Sequence, residues 1–174
     1  MLKRIFALTG ILVLGAMIFL PAAAQGLVIT KERPQLVQEA TTILTGQVTA
    51  LRSFWNKGHE RIYTEVTLLV HEYLKGNEGS LIKFTVPGGT VDDISMTMSE
   101  APNFQVGENV FLFLKQEDCR LAGWYQGKYI IEGDMAYPAG PGCTEKLSAD
   151  LAIPLEDLKQ EVRILVAGGS LPGN

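Results

Sequence analysis

Between residues 43 and 114 apolar and polar side chains alternate with a period of two, and glycine-bearing turns interrupt the pattern at short intervals. That rhythm commits the segment to extended strands, each turning one face to a core. Residues 61–74 are the clearest case, with Thr64, Val66, Leu68 and Val70 alternating with Glu65, Thr67, Leu69 and His71. The run is long for a strand, which predicts strong curvature. Residues 43–51 (ILTGQVTAL) form another strand, and Gly46 inside it marks a bulge or a bend. Residues 53–60 (SFWNKGHE) read as a hairpin loop and residues 75–79 (KGNEG) as a turn. The next strand, residues 80–86, ends at Pro87-Gly88-Gly89. Residues 109–114 (NVFLFL) are apolar without alternation, so both faces of that strand are expected to be covered. Residues 120–131 are expected to give two strands around a tight Gln126-Gly127 turn, with residues 136–142 as loop.

Two helices flank this region. Residues 34–40 (PQLVQEA) start with a proline suited to the first helical position, and Leu36, Val37 and Ala40 fall on one side. Residues 154–167 carry Leu155, Leu158, Val162 and Leu165 at three- and four-residue spacing. Glu156 and Asp157 suit the positive end of that helix, and Gly168 stops it. Its apolar stripe must cover an end or a side of the rolled sheet. The expected fold is therefore mainly β, an antiparallel barrel of five or six strands with a short N-terminal helix and a C-terminal helix. The expected organisation is one domain over residues 34–168, a loose leader over 25–33 and a disordered tail over 169–174.

Residues 1–24 have the parts of a secretory signal: Lys3 and Arg4, an uncharged run over residues 5–20, Pro21, and the small residues Ala22-Ala23-Ala24. Cleavage after Ala24 is expected, leaving Gln25 as the new N-terminus and a periplasmic or secreted chain. An uncleaved anchor is the weaker reading, because a bilayer span needs about 20 apolar residues. Cleavage removes two positive charges, and the balance moves from 15 − 19 = −4 to 13 − 19 = −6. An acidic chain without Lys/Arg runs excludes nucleic acid and an anionic membrane surface as natural partners. Cys119 and Cys143 make an even count in an exported chain, which suggests a disulfide, with two free thiols as the alternative.

No GxSxG elbow, phosphate loop, dinucleotide fingerprint, HExxH or EF-hand pattern occurs. His59 lies beside Glu60 in a polar loop, and His71 beside Glu72 on a strand; neither has ligand-pair spacing for a metal. Asp92 and Asp93, with Ser95 and Glu100, read as a solvated acidic loop before they read as a calcium site. Phe54-Trp55 and Trp124-Tyr125 flank loops, where aromatic side chains build binding platforms. Met96 and Met98 offer an adaptable apolar surface. The candidate binding residues are thus Phe54, Trp55, His59, Asp92, Asp93, Met96, Trp124 and Tyr125, with no catalytic residue, metal or cofactor expected.

The stretches RPQLVQEATTILTGQVTAL, RIYTEVTLLVHEYLKG, SLIKFTVPGG and FQVGENVFLFL together resemble the netrin-like module. That resemblance, which extends over most of residues 34–166, implies an OB-type barrel with packed helices, as in the tissue inhibitors of metalloproteinases, and is similar to exported bacterial proteins. The animal inhibitors place a cysteine at the mature N-terminus to chelate the protease zinc. Here Gln25 takes that place and no cysteine precedes Cys119, so the inhibitory mechanism does not carry over. The function expected is non-catalytic binding of a protein or other extracellular ligand. Inhibition of a secreted protease, or a small hydrolase built around His71 or Asp92, are the alternatives.

Overall fold

The computed structural model describes residues 30–115, 121–141 and 149–168. The signal segment, Cys119, Cys143 and the tail after Gly168 lie outside the described residues, and so does the expected disulfide. In chain order the elements are α1 (Arg33–Glu39), β1 (Thr42–Trp55), β2 (Ile62–Lys75), β3 (Leu81–Pro87), β4 (Gly89–Val91), β5 (Ile94–Met96), β6 (Asn109–Leu114), β7 (Lys128–Glu132), β8 (Met135–Pro138), β9 (Ile153–Pro154) and α2 (Leu155–Val166). Short 3-10 turns cover Trp124–Gly127 and Ala149–Leu151.

The fold is mainly β and antiparallel, with one helix at each end. Seven strands form one sheet in the order β3-β2-β1-β6-β7-β8-β9, and β4-β5 form a separate hairpin. Among the described residues no strand pairing joins β3 to β7 or β9, so the sheet is rolled but not closed. The long β1–β2 hairpin bends at register shifts beside Ile43, Gly46 and Val48. At Gly46 a side chain would run into the carbonyl of Leu69 and the side chain of Leu68, which explains the glycine.

Both faces of the sheet are buried, and β6 shows why. Val110, Leu112 and Leu114 point to a concave core with Leu44, Val48, Val66, Leu68, Ile82, Phe84 and Phe104. Phe111 and Phe113 point the other way, to a second core with Ile43, Tyr129, Leu36, Val37, Leu158 and Val162. The continuous apolar run of β6 is thus the strand shared by two cores. α1 and α2 close the second core with the stripes read from the sequence.

Hydrogen bonds and ion pairs fasten these helices to the sheet and to each other. Lys75, at the end of β2, donates from Nζ to the carbonyls of Val37 (2.9 Å) and Ala40 (2.5 Å), satisfying the C-terminal end of α1. Arg33 Nε donates to Glu161 Oε1 at 2.8 Å, joining α1 to α2. Glu72 on β2 accepts from Arg163 (2.6 Å) and Lys159 (3.0 Å) on α2. Burial alone would raise the Glu72 carboxyl, but the hydrogen bonds from Lys159 and Arg163 outweigh it and hold it below the ordinary carboxylate value. A carboxyl lowered by folding contributes stability that is present above its unfolded value and is lost as pH falls through the folded one. Acid titration of unfolding should therefore show stability falling below about pH 4.5. The slope should be shallower in Glu72→Gln, and equal slopes in the two proteins would refute the assignment.

The sequence misplaced three boundaries. β1 runs on through Trp55, so Phe54 and Trp55 are strand residues and only residues 56–61 turn the hairpin. Gln126-Gly127 lies in a 3-10 turn rather than between two strands; the hairpin there is β7–β8, reversed at Gly133-Asp134. Residues 136–138, read as the start of a loop, belong to β8 because Ile131 and Glu132 pair with Ala136 and Met135.

Candidate functional site

Beyond Met96 the chain does not continue the sheet. Residues 97–108 form a strap across the gap between β3 and β7. Ala101, Pro102 and Phe104 are buried along it. On one side the Phe104 ring meets Phe84 of β3 edge-on, at 5.5 Å between centroids. On the other, Lys128 of β7 lies over the same ring with its ammonium 4.3 Å from the centroid. The strap returns to the sheet where Gly107 N–H donates to Val48 O (2.8 Å) and Val48 N–H donates to Glu108 O (2.9 Å).

Lys128 is the strap's fastening. Its side chain is 0% exposed, and its ammonium donates to both carboxylate oxygens of Glu108 (2.8 and 2.9 Å) and to Asn103 O (2.5 Å). Burial pulls the Lys128 ammonium below its ordinary value, while the charge and hydrogen bond of Glu108 act against that pull. The lysine was not singled out from the sequence. Its partner lies 20 residues earlier, across a strand, and no local pattern records such a pairing.

Where the strap leaves β5 a cleft of about 310 Å³ opens. Its floor continues the concave face: Leu51 and Ser53 of β1, Thr64 of β2 and Val86 of β3. Pro87, Gly88, Gly89 and Thr90 form one wall, and Pro102, Asn103 and Phe104 the other. The hydroxyls on the floor are spent internally: Ser53 Oγ and Thr64 Oγ1 are 2.9 Å apart, and Thr64 Oγ1 donates to Gly88 O at 2.8 Å. Gly89 adopts φ +133° directly above them, and a Cβ there would collide with both hydroxyls. Only glycine lets the β3–β4 turn lie this close to the sheet.

The residues singled out from the sequence fall into two groups. Phe54 and Trp55 sit at the tip of the β1–β2 hairpin, where Phe54 stacks on Tyr63 (6.4 Å) and Trp55 on His59 (5.8 Å). Arg52 lies 5.8 Å above the Phe54 ring. Asp92 and Asp93 form the exposed turn of the β4–β5 hairpin, with Asp92 at φ 51°. Met96 pairs with Gly89, and its carbonyl faces Gly88. These groups border the same end of the sheet as the cleft. Trp124 and Tyr125 do not: they precede Lys128, which pairs with Leu112 toward the Thr42 end of β1. Their link to the strap is the Tyr125 N–H, which donates to Glu100 O at 3.3 Å. Trp124 and Tyr125 are not part of the cleft lining, and Tyr125 meets the strap two residues before Pro102 of the cleft wall. Of the lining, Ser53 and residues 88–90, 102 and 103 fall in loops read as candidate surface; Thr64 and Val86 did not stand out because their strands read only as half-buried sheet, and Phe104 because it read as part of a turn.

Among the described residues no group of three His, Cys, Asp or Glu converges on one point. Comparison with protein-family models, curated proteins and solved structures finds no match to this chain. The class is therefore defined by the molecule's own geometry: a rolled antiparallel sheet with two helices on its outer face and an uncharged cleft at one end.

Proposed function

We propose that the chain is an exported, non-catalytic binding module that takes its partner, a protein or other extracellular ligand, at the cleft between the β3–β4 turn and the strap. The observation that carries this reading is the lining. Every side chain in it is uncharged, and the floor hydroxyls already have partners. Such a surface buries apolar atoms of a partner without orphaning its own polar groups. No lining residue titrates near neutrality to serve the hydroxyls as a base. Export rests on the signal pattern of residues 1–24. The order β3-β2-β1-β6-β7 with flanking helices supports the OB-type, netrin-like reading of the sequence.

The test is to fill the cleft from its rim. Thr90 is exposed and lines the wall, so Thr90→Trp places a ring in the cleft without touching either core. Capture of partners from the native exported fraction by the immobilised mature chain should drop at least about tenfold. Unfolding stability should stay within about 0.5 kcal/mol of the parent. Undiminished capture by a folded Thr90→Trp would overturn the proposal.

A further inference from the structure

β3 is a terminal strand of the sheet, hydrogen-bonded on one side only. The alternation of its ladder decides which groups remain. Gly88 N–H donates to Ile62 O and Val70 N–H donates to Ser80 O, both at 2.8 Å. With Thr64 opposite Val86, Val66 opposite Phe84 and Leu68 opposite Ile82, those three β3 residues spend their main-chain groups on β2. Leu81, Lys83 and Thr85 therefore turn their N–H and C=O outward. Among the described residues no hydrogen bond meets them there. Pro87, which has no N–H, ends the edge at the cleft wall. The inward side chains of β3, ending in Val86, lead straight onto the cleft floor.

The side chains on the outer face choose among occupants. Lys83 stands in the middle of the edge with its side chain 58% exposed, and among the described residues its ion pair is with Glu65 at 3.3 Å. A second copy pairing antiparallel through all three free residues would set Lys83 opposite Lys83, and like charges placed so repel. A lysine at this position guards the edge against its own kind. The same charge favours a strand carrying a carboxylate. Leu81, 55% exposed and paired with the exposed Leu69, adds an apolar contact at the start of the strand.

From this we infer that β3 accepts an extended segment of another protein by strand addition. The segment is apolar on its inner face, with one side chain seated in the cleft, and acidic on its outer face beside Lys83. The inference rests on the cleft reading above and names the shape and charge of what enters.

The probe is a capped peptide alternating valine and glutamate, titrated into the mature chain while amide exchange is followed by NMR. Binding should protect the amides of Leu81, Lys83 and Thr85. It should weaken at least about tenfold in Thr90→Trp, or when the peptide is N-methylated at alternate residues. Lys83→Glu should shift preference to the valine–lysine counterpart. No binding of the peptide, or binding that leaves the three amides exchanging freely, overturns strand addition. If Thr90→Trp still abolishes capture in that case, the cleft reading survives alone. Protection of the three amides in the free chain, with or without dimerisation in sedimentation, overturns it as well, since the edge is then already occupied.

Discussion

Replacing Glu108 by alanine is expected to lower the unfolding free energy by about 3–5 kcal/mol, the usual cost of stranding one member of a buried ion pair. Lys128 has no exposed surface and, among the described residues, no other carboxylate partner; what remains is Asn103 O and the face of Phe104. The lysine must then shed its proton or pull the strap apart to reach water. Lys128→Met should cost markedly less, because the methionine fills the space over Phe104 and leaves behind only Glu108. That carboxylate retains 9% side-chain exposure and can turn outward. The two single mutants and the double, compared by urea denaturation, give the coupling directly. Equal losses in both single mutants would mean that lost packing, not stranded charge, dominates. The binding readout should follow the same order. Asn103 and Phe104 form a wall of the cleft, so freeing the strap dismantles the site even where the sheet survives.

Phe113→Ala should be comparably severe, at about 3–5 kcal/mol. Phe113 is fully buried and belongs to an aromatic group in which its centroid lies 5.3 Å from Phe111 and 6.3 Å from Tyr129. The side chains of α1 and α2 pack on that group, so the cavity would open between helices and sheet. The expected signature is early loss of helical signal on heating, ahead of the β signal, while peptide or partner binding at 25 °C survives in the folded fraction. Loss of binding with helices still docked would contradict the separation of the two cores. The contrast with Glu108→Ala is the informative part: one substitution strikes the face that carries the helices, the other the face that carries the cleft.

How far the sequence could be read follows from where the information sits. Strands with alternating faces, such as β2, announce themselves locally, because each side chain's environment is set by the pleat. The run NVFLFL of β6 says more, since only a strand covered on both sides tolerates it, and the structure supplies two cores. The helical stripes of α1 and α2 were equally plain. Phe54 and Trp55 misled because SFWNKGHE has loop composition, although cross-strand pairing with Tyr63 and Ile62 extends the strand through it. β8 was hidden by Pro138 and the glycines after it. The cleft was legible only in part: much of its rim falls in the loops 53–60 and 88–103, but its assembly does not show in the sequence. Ser53, Thr64 and Val86 are neighbours only because three strands align them, and Phe104 joins them only because a buried lysine holds the strap in place. None of that is written in any single window of sequence.

The central position of β1 has a kinetic consequence. Its pairing with β2 is a hairpin, quickly made from adjacent chain. Its pairing with β6 joins Thr42 to Leu114, and the chain must first close a circuit of 114 − 42 = 72 residues. Until that happens neither core has its shared wall, and the hairpin stands with apolar surfaces bare on both sides. Refolding should therefore be limited by the arrival of β6, in the slow regime of nonlocal sheets, and the intervening stretch is the time during which this chain is most exposed to aggregation.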